Sequence, residues 1–565
     1  MQYKKLAELY EQLGSTTKRL EKIDILSKFL KNLHESDRDV LYLLNGNIYP
    51  EYDEKKIGIS NQLVIKAISK ATGISESSVV KEWKFIGDLG KVSEKLTKDK
   101  KQSTLHSHVL TTEKIISNLR KLPEFEGKGT INKKISLITE LLTSASPLEA
   151  KYLIRTLIGD LRIGIQESTI REAIADAFFS EDKKNASKKI QDSIDKSNDL
   201  AKVFDIARKR EIDEFEKISL EVGKPIKVML AQKVNTIKEG FAVVGKPAAI
   251  EYKYDGFRLV VHKNEREIKL FTRRMENVTK QFPEVVEYVK KYVKGDSFIL
   301  DCEAVGFDKK TKQYKPFQSI SQRIKRKYDI ERLQEELPVE VNVFDIIYYN
   351  GKSLLNEPFE KRSDLIKKIV KNNPYKIVHA KQIITDNERK AEEFNRKSLK
   401  DNQEGVMMKN LNSVYQPGSR VGYMLKIKPE QRDFDLVITG AEYGTGKRSG
   451  WLSSFILSCR DKNKFLGIGK VGTGIKEKKE EGMSFEELTK KLKSLIVKEK
   501  AREVEIKPKI VVSVTYQEIQ KSPNYSSGFA LRFPRFTALR PDKPVSEIVT
   551  LNEVKREFDK QKTRK

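Results

Sequence analysis

Cysteine is nearly absent: the 565-residue chain holds two, Cys302 and Cys459. Two thiols so far apart build neither a disulfide framework nor a four-cysteine zinc site, and they suit a reducing compartment. Long apolar runs are missing as well. No stretch reaches bilayer-spanning length, and the first residues, Met1-Gln2-Tyr3-Lys4-Lys5, mix charge at helical spacing instead of forming a leader. These absences predict a cytoplasmic chain with no membrane partner. No internal repeat is visible.

Negative charge is also in short supply. Lys and Arg number 110 against 81 Asp and Glu, a formal net charge of +29. That excess calls for a polyanionic partner, nucleic acid first, because neutralising phosphates releases counterions. A Lys/Glu-rich thermophile surface would explain the 34% of charged residues. It would not explain the imbalance. At about 150 residues per domain the length suggests three or four domains.

From residue 1 to 220 apolar residues recur three or four apart, which predicts an all-helical domain. Tyr3, Leu6, Leu9, Tyr10 and Leu13 form one stripe, stopped by Gly14. Ser146-Pro147-Leu148-Glu149 reads as N-cap, first-turn proline and capping-box glutamate, opening a helix that runs into the stretch Lys151 to Gly164. Gly159 and Gly164, with Arg155 and Arg162 beside them, would let backbone amides and guanidinium groups approach phosphates, although an ordinary helix end looks the same. Lys183 to Lys189 reads as a solvated face.

Near Gly223 the pattern changes to short β-rich runs between turn signals. Leu259–His262 and Ile268–Phe271 flank a hairpin loop at 263–267. Further strands are expected at 298–305, 341–349, 404–409 and 423–428, carrying charges of both signs, and Pro429 marks a boundary. Beyond it, short strands such as 436–440, 454–458 and 510–514 suggest a small basic barrel of the OB type, and the stretch from Ser546 reads as a polar tail. The expected division is therefore 1–220 helical, 221–429 α+β and 430–565 β-barrel.

The chain is organised around Glu251-Tyr252-Lys253-Tyr254-Asp255-Gly256. As a strand it sends Ile250, Tyr252 and Tyr254 to one face and Glu251, Lys253 and Asp255 to the other. A free lysine titrates near ~10.4, so one that does covalent work needs its pKa lowered by burial, cations or metal. A surface lysine on a strand is the bland reading. If Lys253 attacks a phosphorus, the site needs cations on the phosphate oxygens, carboxylates for a divalent metal and a slot for a base. Arg258, Arg273, Lys426 and Lys428 can supply the first. Glu303 and Glu404 can supply the second, and Phe344 an aromatic face.

In order and spacing, Lys253-x-Asp255-Gly256, Phe271-Thr272-Arg273-Arg274, Asp301-x-Glu303, Phe344-Asp345, Glu404-Gly405-x-Met407-x-Lys409 and Lys426-x-Lys428 resemble the nucleotidyltransferase motifs of ATP-dependent polynucleotide ligases. Pro316-Phe317-Gln318, Asn350-Gly351-Lys352-Ser353-Leu354, Leu531-Arg532-Phe533-Pro534-Arg535-Phe536, Arg540-Pro541-Asp542-Lys543 and Leu157 to Gly164 narrow the likeness to the replicative DNA ligases of archaea and eukaryotes. The compact length looks archaeal. The resemblance implies that Lys253 carries AMP, that Glu251 reads the adenine amino group and that Phe344 stacks on the base. Arg258 and Arg273 would contact ribose or phosphate, and Glu303 the ribose or a metal. Glu404 would help bind metal, and Arg420, Lys426 and Lys428 would hold phosphates. Arg540, Asp542 and Lys543 would act from the barrel domain in the first step only, and Arg155, Gly159, Arg162 and Gly164 would meet DNA.

The implied cofactors are ATP and magnesium, with manganese as its substitute, and the implied partners are nicked double-stranded DNA and a sliding clamp. A nucleoid-associated monomer is expected. Two positions depart from the family pattern: Met424 where an aromatic residue is usual, and Val228 where the linker usually has a second proline. An RNA ligase or capping guanylyltransferase would share the Lys-x-Asp-Gly core but not the long helical domain. NAD-dependent ligases would need a cysteine cluster, and a purely architectural DNA-binding protein would leave the paired acidic strands unexplained.

Overall fold

The structure is a computed structural model describing residues 1–98, 109–125, 129–326, 328–428, 432–478, 480, 482–500 and 502–563. Pro429 lies outside the described residues. The chain forms two units, one of Met1–Ile48, Lys56–Ile170 and Gln431–Thr563, the other built mainly from Arg171–Glu430 with Tyr49–Lys55. Among the described residues no helix is long and apolar enough to cross a membrane.

The N-terminal part of the first unit is helical. Helix Tyr3–Ser15 buries Tyr3, Leu6, Leu9, Tyr10 and Leu13, the stripe that its spacing predicts. Helix Pro147–Ile158 is centrally placed, with Glu149 through Leu157 all buried. Its start is a complete capping box: Glu149 N–H donates to Ser146 Oγ, and Ser146 N–H donates to the Glu149 carboxylate at 2.8 Å. Gly159 ends it at φ +75°, a conformation that costs a glycine little.

The second unit carries two sheets. One contains β1 (Leu230–Val234), β2 (Ala248–Tyr252), β9 (Gln382–Thr385), β10 (Val406–Asn410) and β11 (Arg420–Ile427), in the order β1-β11-β10-β2-β9. The other contains β3 (Phe257–Asn264), β4 (Glu267–Thr272), β5 (Ser297–Gly306), β6 (Val339–Tyr349), β7 (Lys352–Ser353) and β8 (Ile377–His379). Helices Ile237–Val244 and Glu388–Lys400 cover one face of the first sheet through Phe241, Val244 and Ala391. Helices Pro283–Tyr292 and Phe359–Ile369 cover the second through Val285, Val289 and Ile366. The remaining faces meet: Val260, Phe271 and Ile299 from the second pack with Met229, Val421 and Met424 beside the first. Two sheets closed at one end by apolar contacts leave a cleft at the other.

Two local expectations change. The β3–β4 hairpin turns on Glu265 and Arg266 alone, because Glu265 takes φ +52° and the strands run further towards the turn than their apolar cores suggest, β3 by two residues and β4 by one. β2 also ends at Tyr252, so Lys253 sits just beyond the strand. It is still held by backbone bonds, donating to Gly405 O and accepting from Glu404 N at 2.8 Å each.

The C-terminal part of the first unit is rich in strands. It contains β12 (Arg432–Tyr443), β13 (Leu452–Asp461), β14 (Lys464–Val471), β15 (Ile496–Lys500), β16 (Glu503–Ile506) and β17 (Val511–Tyr516), followed by β18 (Glu518–Lys521), β19 (Phe529–Arg532) and β20 (Arg535–Leu539). β12 pairs along one edge with β13 and along the other with β17 over its first half and β16 over its second. Splitting its partners bends the sheet around a core that includes Leu436, Phe455, Leu457 and Val512. The expected polar tail is helix Leu551–Thr563.

Candidate active site

Strand pairing in the first sheet lines up Gln382, Glu251, Met407, Lys426 and Lys233, each opposite the next. Directly opposed residues project to the same face, so this row runs from an amide and a carboxylate, over a thioether, to two lysines. The second sheet answers with Arg258, Glu303 and Asn342, likewise opposed in turn. Lys253 enters beside the first row.

Two glycines let the backbones approach. A Cβ on Gly256 would lie 2.3 Å from Ala304 O, and one on Gly405, whose φ is +128°, would lie 2.2 Å from Ile427 O. No larger residue fits either place, which is the physical content of the Lys-x-Asp-Gly and Glu-Gly pairs. Gly405 in turn places Glu404, whose Oε2 accepts from Lys253 Nζ at 2.6 Å and Lys428 Nζ at 2.7 Å. Burial opposes ionisation of Glu404, but Lys253 and Lys428 outweigh it and hold its carboxyl down at about 2. Glu303 behaves oppositely. Burial pushes it up to about 8, against the pull of Lys253 and Arg258, and among the described residues no hydrogen-bond donor meets its carboxylate.

The polar end is tightly paired. Glu251 is buried, with Lys409 Nζ at 2.7 Å from Oε2 and Gln382 Nε2 donating to Oε1 at 2.9 Å. The Phe344 ring stands beside them, with the Arg258 guanidinium 5.1 Å and the Lys409 ammonium 5.0 Å from its centroid. Glu251, Phe344 and Gln382 line a cavity of about 660 Å³. Arg258 is fixed from behind: its Nε donates to Asp301 Oδ1 at 2.7 Å, its Nη2 bonds Asp301 Oδ2, and Tyr415 OH donates to that same Oδ2 at 2.7 Å.

At the basic end, burial lowers Lys426 to about 8, helped by Lys253, Arg420, Lys428 and Arg273 around it. Lys426 is therefore charged below pH 8 and neutral above it in the nucleotide-free chain. If it holds a phosphate, the ratio of Lys426→Arg to wild-type kcat/KM for ATP should rise by roughly tenfold per pH unit above 8, since arginine stays protonated. A flat ratio would contradict that role.

The structure thus gathers Lys253, Glu251, Arg258, Arg273, Glu303, Phe344, Glu404, Arg420, Lys426 and Lys428 in one unit. Arg540, Asp542 and Lys543 lie in the other, where Arg540 Nη1 and Lys543 Nζ reach Asp435 Oδ2 at 2.9 and 2.7 Å and Arg540 also bonds Asp542. Arg155 and Arg162 stand beside Gly159 and Gly164, but Arg155 is buried, donating to Asp88 Oδ2 at 2.7 Å. Arg162 reaches Asp160 at 2.8 Å and Asp88 at 3.2 Å. Sequence reasoning gave no role to Lys409, Gln382, Tyr415 or Asp435. Only Lys409 carried a signal, standing inside a quoted motif.

Comparison with known proteins places the chain among nucleic-acid ligases. Residues 228–428 match the family model described as "ATP dependent DNA ligase domain", residues 2–175 "DNA ligase N terminus", and residues 448–543 "ATP dependent DNA ligase C terminal region". A DNA ligase of Nanoarchaeum equitans is 44% identical, covering 100% of this chain and 99% of that protein. Those of Thermococcus fumicolans and Methanopyrus kandleri are 39% and 40% identical, covering 98% and 99% of both chains respectively. A solved structure titled "Pmar-Lig_PreS3" shares the fold, with TM-score 0.60 at 18% identity over 94% of this chain and 99% of that one. The chain belongs to the ATP-dependent DNA ligase family.

Proposed function

We propose that Lys253 is the nucleophile of nick sealing. Its Nζ attacks the α-phosphorus of ATP, forming an N–P bond as pyrophosphate leaves. The AMP then passes to the 5′-phosphate at a nick, freeing the lysine, and the 3′-hydroxyl attacks that phosphate and displaces AMP. Activating the phosphate as a mixed anhydride turns a poor leaving oxygen into a good one. One observation carries the reading: Lys253 stands 2.6 Å from Glu404 and among the cations around Lys426, directly after Glu251 and Tyr252, which with Phe344 line a cavity of about 660 Å³.

In this reading Glu251 accepts from the adenine amino group, Phe344 stacks on the ring, and Arg258 and Arg273 meet ribose or phosphate. Arg420, Lys426 and Lys428 hold phosphate oxygens. Glu303 and Glu404 suit magnesium, which prefers hard oxygens and one or two carboxylates beside substrate phosphates. A half-buried carboxylate with no donor among the described residues, as Glu303 is, fits such a cation. When bound, the metal would neutralise charge on the phosphates. Arg540, Asp542 and Lys543 serve the first step only, and Gly159, Arg162 and Gly164 serve DNA, while the buried Arg155 holds that turn from within through Asp88 and Leu161 O. Domain limits at 220 and 429, a sliding clamp as partner, a monomeric state and a nucleoid-associated cytoplasmic location complete the proposal.

The test is a nicked duplex with a labelled strand, incubated with the chain, ATP and magnesium. A joined strand is expected, with duplex affinity falling steeply and linearly in log–log plots against salt. No joining, or salt-independent affinity, would overturn it.

A further inference from the structure

Asp435 is assigned no role by the motifs, yet it is the residue on which two of the C-terminal motif cations converge. It lies on β12 opposite Ser513 of β17, and β17 pairs on its other edge with β20, whose end delivers Arg540. Arg540 Nη1 and Lys543 Nζ both donate to the single oxygen Oδ2, at 2.9 and 2.7 Å. Asp435 Oδ1 is buried and meets no donor among the described residues. The residue is anchored through its backbone as well, its carbonyl accepting from Val549 N at 3.0 Å. Asp542, by contrast, is exposed, and among the described residues its side-chain partner is Arg540.

Two cations that share one oxygen repel each other, and without the carboxylate between them they would separate into solvent. Such a carboxylate sets their spacing before any ligand arrives. A pair of fixed cations is also what a departing pyrophosphate, with its several anionic oxygens, would require.

We propose that Asp435 is a positioning residue for lysyl-adenylate formation, holding Arg540 and Lys543 as a preset pair for the β- and γ-phosphates of ATP. The inference rests on the step-one role proposed for those two residues. Asp435 itself touches no substrate. It acts by fixing where the two positive charges stand, so its removal should be felt wherever pyrophosphate enters or leaves and nowhere else.

The experiment uses the full chain and three rates: labelling by α-labelled ATP, release of label from adenylated protein by pyrophosphate, and sealing of a nick that already carries AMP. Asp435→Asn keeps the shape and removes the charge. It should slow labelling and pyrophosphate-driven release by the same factor, roughly 10- to 100-fold as for a misplaced catalytic group, while sealing of the adenylated nick stays within about twofold. Asp435→Glu, which restores the charge, should recover part of the loss. Equal losses in all three rates would mark a purely structural role, and unchanged or faster labelling would mark Asp435 as irrelevant or as a restraint; each overturns the proposal. A wild-type chain that takes no label would instead overturn the function on which it rests.

Discussion

Lys253→Ala should take no label from α-labelled ATP, whereas the wild type should retain label through denaturing electrophoresis. The side chain that would form the N–P bond is gone, and none of the neighbouring cations replaces it. Lys428 is already bound to Glu404 at 2.7 Å, and Lys426 and Met407 stand opposite each other in adjacent strands. The loss should be complete within detection, while a nick already carrying AMP should still be sealed, because that step needs the pocket but no nucleophilic lysine. Fold should survive, since the Lys253 side chain is 22% exposed and its backbone bonds to Gly405 and Glu404 do not depend on it. Normal labelling of the variant would remove Lys253 from the mechanism. Label from GTP or NAD but not ATP would redirect the assignment to capping or NAD-dependent chemistry.

Asp301→Ala should damage stability most. Asp301 is fully buried and accepts from Arg258, whose side chain is 15% exposed, and from Tyr415. Removing it strands a guanidinium and a hydroxyl in the cleft wall, and breaking a buried pair from one side costs about 3–5 kcal/mol. Denaturant unfolding should show that loss at pH 7, with self-adenylation falling as Arg258 loses its orientation. Glu404→Ala is the contrast. Its lysine partners are 22% and 23% exposed and can turn to water, so it should cost little stability and most of the activity. Equal stability losses in the two variants would refute this division between the buried and the reacting carboxylate.

Much of this arrangement could be read from residue order alone. The first-helix stripe and the capping box at Ser146 depend on contacts three or four residues apart, and the structure has both. Asp301 and Glu303 could be placed on one face by alternation. Which of them Arg258 would occupy could not, because that depends on the diagonal offset of β3 against β5. The pairing of Glu251 with Lys409 and Gln382 joins residues more than a hundred positions apart, and Gln382 arrives on an edge strand of four residues, too short to show alternation. Arg155 read as a phosphate contact from its glycine neighbours, and no local pattern announced that Asp88, 67 residues earlier, would take its guanidinium. Lys253 sits past the end of β2 and is held there by backbone bonds to Gly405 and Glu404, residues about 150 positions away in a different motif.

The buried Glu251 has one further consequence. A carboxylate offers lone pairs and no proton, and Glu251 is held in place by Lys409 at 2.7 Å and Gln382 at 2.9 Å. A purine with an amino group at its edge finds an acceptor there. A purine with a carbonyl at the same edge would meet oxygen against oxygen at a buried carboxylate. If Glu251 reads the base as proposed, discrimination of adenine from guanine is a matter of repulsion at a residue that touches no phosphate, and an uncharged donor at position 251 should relax it.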